Sequence, residues 1–173
     1  MGTGIVRRVD ELGRIVIPKE IRKSFRIKDG ETVEISINDE GIILKKHSFL
    51  NKINDIASYL VCSIYNNVKQ TIIITDLNKV IASSKNVKND YLNKEISNEL
   101  FNIINNRKDI LNNYNEKIKI INEKIQINYY IRPLIVNGDV VGSIILFDDN
   151  FIKEDTIKIV TIANDFLEKY LEI

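Results

Sequence analysis

The first 47 residues alternate short β-branched runs with turn signals, and they are too few to bury a core of their own. Strand-like runs occupy Ile5–Val9 and Ile15–Ile17, on either side of a turn-like segment in which Gly13 can take a positive φ. A unit of this size without a disulfide or a metal site rarely folds as a single chain, and its sequence contains no cysteine. We therefore expect it to fold by pairing with a second copy.

The rest of this first unit predicts a short helix and a hairpin. Pro18 suits the first position of a helix, where Ile21 and Phe25 would form an apolar face. The opposite face would be basic and carries Lys19, Arg22, Lys23 and Arg26. Val33 to Ile37 alternate as in a half-buried strand, and a turn at residues 38–41 leads into a last strand at residues 42–44.

Charge is distributed unevenly along the chain. Residues 1–28 hold eight basic and three acidic side chains, a net charge of +5, whereas the whole chain carries only +1. Residues 29–173 therefore sum to −4. A basic segment on a mildly acidic remainder is typical of a protein whose one end faces a polyanion such as nucleic acid.

A helix is predicted over residues 48–67 by apolar residues spaced nearly as in a coiled coil. The stripe consists of Phe49, Ile53, Ile56, Leu60 and Ile64. We interpret it as a surface for core or oligomer contacts. Cys62 lies on the same helix, and we expect it to be a small core residue.

The remaining sequence predicts an α/β sandwich with a mainly antiparallel sheet. Strands are expected at residues 71–75, 80–82, 117–121, 125–136 and 140–147, and helices at residues 92–104 and 154–171. Asn137-Gly138 is the strongest hairpin signal in the chain. On the last helix one side would carry Ile159, Ala163, Phe166 and Tyr170, widened by Val160 and Leu167. We expect domain boundaries at 1–47, a connecting helix at 48–67, and a second domain at 68–173.

The run GIVRRVDELGRIVIPKEIRKSFRIKDGETVEI resembles the AbrB-type DNA-binding domain over about residues 1–47. The segments DYLNKEIS at 90–97 and IVNGDVVGSIILF at 135–147 resemble the GAF-like domain of the stage V sporulation regulators. The resemblance implies an α+β protein in which an interleaved swapped-hairpin β-barrel dimer precedes the GAF-like domain. It also implies a transcription regulator that activates some sporulation genes and represses others, and that assembles as a tetramer.

The resemblance also indicates which residues contact double-stranded DNA. The matching positions are Arg7, Arg14, Arg22 and Lys23, and Arg8 lies in the same basic pattern. Residues 1–28 contain neither Asn nor Gln, so the paired amide contact to adenine is absent from this surface. We therefore predict that readout depends largely on DNA shape and deformability.

Other classes fit less well. The chain has no phosphate-binding glycine motif and no histidine-paired nucleophile, so we expect no enzyme, no cofactor and no metal site. No long uncharged apolar run is present, which predicts a cytoplasmic protein without a membrane segment. The family resemblance further implies association with the nucleoid of the developing spore. Two alternatives stay open: an antitoxin of a toxin–antitoxin pair, and a metabolite sensor that acts by protein contacts. In the GAF-like domain Tyr129, Tyr130, Arg132 and Pro133 could line a pocket for a small ligand, or simply alternate on a strand.

Overall fold

A computed structural model describes residues 4–27, 29–30, 33–39, 41–46 and 54–172. The chain divides into two compact units, Met1–His47 and Ser48–Ile173. Residues 47–53 are not among the described residues, so Phe49 and Ile53, the first two residues of the apolar stripe predicted over residues 48–67, lie outside them.

The first unit contains one helix and one hairpin. The helix α1 spans Lys19–Ser24 and follows Pro18, as the sequence predicts. Strands β1 (Val33–Asn38) and β2 (Gly41–Lys46) pair in antiparallel fashion. The backbone N–H of Gly41 donates to Asn38 Oδ1 at 3.0 Å, which closes the predicted turn.

The prediction of strands at Ile5–Val9 and Ile15–Ile17 is wrong for the single chain. Both segments lie outside any strand, and between them only a tight loop forms. In that loop the Asp10 N–H donates to the Arg14 carbonyl and the Gly13 N–H donates to the Asp10 carbonyl, each at 3.0 Å. Gly13 has the expected positive φ of 75°. A strand requires a ladder of bonds to a neighbour, and the described part of this one chain supplies no such neighbour.

The apolar side chains of the first unit are largely exposed. Helix α1 has no buried residue, and Phe25 is 63% exposed. The predicted half-buried strand β1 is not covered by its own chain, since Ile35 is 66% and Ile37 is 82% exposed. The single chain therefore leaves this unit without a closed core.

The second unit is built on a five-stranded sheet in the order β4-β3-β7-β6-β5, and each neighbouring pair is antiparallel. Its strands are β3 (Thr71–Asp76), β4 (Val80–Ser83), β5 (Ile110–Lys119), β6 (Lys124–Val136) and β7 (Asp139–Asp148). The predicted Asn137-Gly138 turn joins β6 to β7, and its two residues have φ values of 50° and 83°. Two consecutive positive φ values are typical of the type I′ hairpin that matches strand twist.

Helices cover both faces of this sheet. Helices α2 (Asn54–Val68) and α5 (Glu154–Leu171) pack on one face, and α3 (Lys88–Tyr91) and α4 (Asn98–Asn105) pack on the other. Side chains of β3 alternate between the two layers, with Ile72 and Ile74 in the first and Ile73 in the second. All three are fully buried, which explains why this strand is a continuous apolar run in the sequence.

Three predictions for the second unit need correction. The helix expected over residues 92–104 begins only at Asn98, because tertiary bonds hold residues 92–97 in a loop between α3 and α4. There the Ile96 N–H donates to the Asn78 carbonyl at 2.8 Å, and Ser97 then caps α4 by accepting from the Leu100 N–H at 3.0 Å. The strand expected at 117–121 is the end of the longer β5, which carries a bulge between Asn112 and Glu116.

The predicted apolar side of α5 is only partly buried. Ala163 lies in the core, but Ile159, Phe166 and Tyr170 are 37%, 49% and 42% exposed. The face that contacts the sheet is centred on the predicted Val160, Ala163 and Leu167, and it also includes Thr156 and Asn164. A stripe of exposed apolar residues therefore remains on the outer side of the helix.

Candidate nucleic-acid interface

The loop between the two extended segments is organised by one carboxylate. Asp10 Oδ1 accepts from the backbone N–H groups of Leu12 at 3.0 Å and Arg14 at 2.8 Å. Asp10 Oδ2 accepts from Arg14 Nε at 2.7 Å. These backbone and side-chain bonds from Arg14 lower the pKa of the Asp10 carboxyl, so that it stays ionised and the loop stays closed at neutral pH.

The other predicted arginine with a resolved partner lies on α1. Arg22 Nη1 is 2.5 Å from Asp29 Oδ1, just beyond the end of the helix. The Arg22 side chain is 39% exposed, whereas that of Arg14 is 71% exposed. Both cations are thus oriented by acidic neighbours while keeping solvent-facing N–H groups.

The remaining predicted DNA contacts are exposed cations close to this loop in the sequence. Arg7 and Arg8 lie in the exposed segment before the loop, and Lys23 is exposed in the last turn of α1. Asp10 and Asp29 are not among the predicted site residues, because the sequence prediction used acidic side chains only to sum the net charge of the segment. A four-residue spacing from Asp10 to Arg14 across a glycine turn was the signal that could have revealed the first pair.

The predicted pocket residues of the second unit occupy opposite faces of the sheet. Tyr129 lies in the layer with α3 and α4, and Tyr130 lies in the layer with α2 and α5. The Tyr130 hydroxyl donates to Asp109 Oδ2 at 2.7 Å, and burial together with this bond raises its pKa. Arg132 binds the same oxygen at 2.6 Å and Asp165 on α5 at 3.2 Å. These polar groups hold α5 to β6, and Pro133 is buried beside them.

The layer under α3 and α4 is mainly aliphatic and includes the aromatic side chains of Tyr91, Tyr129 and Phe147. The rings of Tyr91 and Phe147 lie 5.3 Å apart, and burial raises the pKa of the Tyr91 phenol. A small ligand on this face of the sheet would have to displace them.

The stripe predicted for oligomer contacts is described only from Ile56 onward. Ile64 is buried in the unit's own core, and Ile56 and Leu60 are half-buried against it. Phe49 and Ile53 lie outside the described residues. Cys62 is exposed, so the prediction of a core cysteine is wrong: it lies on the outer side of α2, away from the buried Val61 and Ile64.

Comparisons with known proteins cover both units. Residues 52–172 match the family described as "Stage V sporulation protein T C-terminal, transcription factor". Residues 6–49 match the family described as "Antidote-toxin recognition MazE, bacterial antitoxin". Over 98% of both chains, the protein is 36% identical to stage V sporulation protein T of Bacillus subtilis. Over 45 residues, 26% of this chain and 47% of the relative, it is 58% identical to the transition state regulatory protein AbrB of the same organism.

Solved structures resemble the second unit in fold. The GAF domain of the nutrient sensor CodY from Clostridium difficile aligns with a TM-score of 0.50 at 12% identity, over 70% of this chain and 92% of that one. The cyanobacteriochrome receptor PixJ aligns with a TM-score of 0.55 at 12% identity, over 72% of this chain and 98% of that one. The second unit therefore has the predicted GAF-like α/β fold.

Taken together, the two units define a transcription regulator in which an AbrB-type domain precedes a GAF-like domain. The match to stage V sporulation protein T covers nearly the whole chain. The protein belongs to the family of stage V sporulation protein T, a family of sporulation transcription regulators. Within the described residues, no helix is long and apolar enough to cross a membrane.

Proposed function

We propose that this protein binds double-stranded DNA as an interleaved dimer of its first unit and thereby activates and represses sporulation genes. The proposal rests on the first unit, whose apolar side chains are exposed in the single chain. The ordered cationic loop around Arg14 lies in the same short part of the sequence. Ile37 at 82% exposure and Val16 at 76% would be covered by a second copy. Pairing would also double the cationic surface, which includes Arg7, Arg8, Arg14, Arg22 and Lys23.

Backbone phosphates account for much of the expected affinity. Two copies of this surface could make on the order of 6–10 phosphate contacts, and each contact contributes about −0.9 to the slope of log K against log salt. Shape-dependent readout predicts that selection from random DNA returns a short, degenerate motif. Recovery of a single long, sharply defined motif would contradict this part of the proposal.

A salt titration of DNA binding tests the proposal directly. Fluorescence anisotropy of the full-length protein with a labelled random-sequence duplex should show affinity that falls steeply as salt rises. Arg14→Ala and Arg22→Ala should each weaken binding by about 1–3 kcal/mol. Arg107→Ala is the matched control, because it removes the same charge from the second unit, where the side chain is 55% exposed. Equal losses in all three variants, or no salt dependence in the parent, would contradict the proposal.

Assembly beyond the dimer is proposed to run through helices of the second unit. Its helix α5 presents exposed Ile159, Ile162, Phe166 and Tyr170, spaced by three, four and four residues. The stripe predicted on α2 ends in residues that already contact the unit's own core. A tetramer joined in this way would hold two DNA-binding dimers together and raise the effective affinity for paired sites. We propose that it acts in the cytoplasm, on the nucleoid of the developing spore.

The antitoxin alternative is favoured only by the family match of residues 6–49. An antitoxin of that type would bind its toxin through a segment that follows the DNA-binding domain. Here the residues from 54 onward form a packed sandwich with two core layers. Purification of the native complex distinguishes the two, since an antitoxin would be recovered with a stoichiometric small protein and a regulator would be recovered with its own copies.

A further inference from the structure

The Asp10 carboxylate divides its two oxygen atoms between two tasks. Oδ1 accepts both loop N–H groups, from Leu12 and Arg14, and therefore fixes the backbone of the loop. Among the described residues, Oδ2 accepts from the Arg14 side chain alone. One residue thus shapes the loop and also restrains the cation that the loop presents.

The bond to Arg14 leaves the outer edge of its guanidinium open. Arginine has five N–H donors, and Asp10 takes the one on Nε. In the part of the chain that the structure describes, the four donors on Nη1 and Nη2 have no protein partner. Those are donors that an arginine can use to chelate O6 and N7 of guanine. Asp10 thus restrains Arg14 at Nε and leaves the Nη1 and Nη2 donors available to a ligand.

Arg22 is held in the opposite way. Its Nη1, one of the two terminal nitrogen atoms, is 2.5 Å from Asp29 Oδ1. The Asp29 side chain is 94% exposed, so this bond competes directly with any anion that approaches Arg22. Asp10 therefore orients its arginine, whereas Asp29 occupies one of the terminal donors of its arginine.

We propose that Asp10 is a positioning residue that, through Arg14, adds base discrimination to the shape-dependent readout of DNA, an inference that rests on the proposed function. An arginine restrained at Nε loses little rotamer freedom when it chelates a base. The matching base therefore contributes more binding free energy than it would with an unrestrained side chain. Asp29 has no such role and lowers the affinity for every DNA sequence equally.

Two isosteric substitutions separate these roles. Asp10→Asn keeps an oxygen for the loop N–H groups but turns an amide donor toward Arg14 Nε, so the loop should persist and the restraint should be lost. Asp29→Asn removes the same single charge and frees Arg22. Both variants should bind a random-sequence duplex more tightly than the parent, because each removes one negative charge from a phosphate-binding surface.

The test compares binding to two duplexes of equal length, one selected from a random pool by the parent protein and one of random sequence. The ratio of the two Kd values measures discrimination. It should fall by about tenfold in Asp10→Asn, the loss of one bidentate base contact, and stay at the parent value in Asp29→Asn. Hydrogen exchange of the arginine Nε–H by NMR should show Arg14 protected in the parent and unprotected in Asp10→Asn, while the Leu12 amide shift stays near its parent position.

Three results would overturn the inference. The first is an unchanged ratio in Asp10→Asn, and the second is an equal fall of the ratio in both variants. The third is a fall in Asp10→Asn accompanied by loss of the Leu12 amide shift, which would assign the effect to the loop backbone. A parent protein without salt-sensitive binding to either duplex would instead overturn the proposed function, and this inference with it.

Discussion

The two units of this chain use similar apolar strand residues and bury them to opposite extents. In the second unit Ile144 and Ile145 of the central strand β7 are fully buried. In the first unit Ile37 and Ile42, which pair across the hairpin, are 82% and 70% exposed. The difference lies in chain length, because the first unit has too few residues to form a second layer over its hairpin. An exposed isoleucine therefore has a different meaning in each unit.

The largest effect is expected from a charge placed on the open hairpin. Ile37→Asp should abolish pairing of the first unit, because it puts a carboxylate into the face that a second copy covers. Light scattering should show a lower mass, and DNA binding should be lost. Tyr114→Asp is the matched control, since Tyr114 is 85% exposed but lies in the second unit. An unchanged mass for Ile37→Asp would mean that another surface joins the chains.

A core truncation should harm only the second unit. Leu134 is fully buried between the sheet and α5, so Leu134→Ala should lower the free energy of unfolding by about 2–5 kcal/mol. Denaturant unfolding followed by far-UV circular dichroism measures this change. The first unit should keep its ability to bind DNA, and a parallel loss of binding under native conditions would show that the two units do not fold independently.

The outer stripe of α5 provides a finer comparison within the second unit. Ile162→Asp should lower the assembly state seen by light scattering but change the stability of the unit by less than about 0.5 kcal/mol, because this side chain is 69% exposed. Leu60→Asp should reduce both, since Leu60 is half-buried against its own core. If only Leu60→Asp lowers the mass, then the contacts run along α2 as the sequence predicts.

A smaller effect is expected at the hairpin turn. Gly138→Ala should cost about 1 kcal/mol, because the backbone has a φ of 83° although a Cβ would meet no atom within 4 Å. Gly4→Ala is the control, since its site is equally open and requires no positive φ. Equal stability of the two variants in denaturant unfolding would show that the turn relaxes without cost.

The smallest effect is a pH dependence of the cationic loop. The bonds from Arg14 lower the pKa of Asp10, so the contribution of its charge to the loop is fully present above the ordinary carboxyl range and is lost as the pH falls through the lowered pKa. The backbone bonds to Oδ1 do not require that charge, so the loop itself should persist. NMR shifts of the Leu12 and Arg14 amides should follow this titration. In Asp10→Asn the same shifts should not change with pH, and a titration that persists there would contradict the assignment to Asp10.

Local signals predicted the parts of the fold that depend on near neighbours. The Asn137-Gly138 turn is specified by two adjacent residues, and the helix over residues 154–171 matches α5 in its bounds. The helix predicted across Ile96 failed, because the bond from its N–H to Asn78 depends on residues that are distant in sequence. The arginines proposed to contact DNA were predicted from family resemblance alone. The pairing of Arg14 with Asp10 and of Arg22 with Asp29 depends on the folded loop and helix, which net charge does not encode.

The bulge in β5 affects which strands can pair with the outer edge of the second unit's sheet. At this outer edge of the sheet, four residues of β5 span the distance that two residues of β6 span, and Asn115 adopts a φ of 53°. The side chain of Asn113 is turned onto the backbone of Ile152, to which it donates and from which it accepts. The opposite edge strand, β4, is only four residues long. Both edges of this sheet are thus short or interrupted, and an edge of that kind is a poor template for pairing with a further strand.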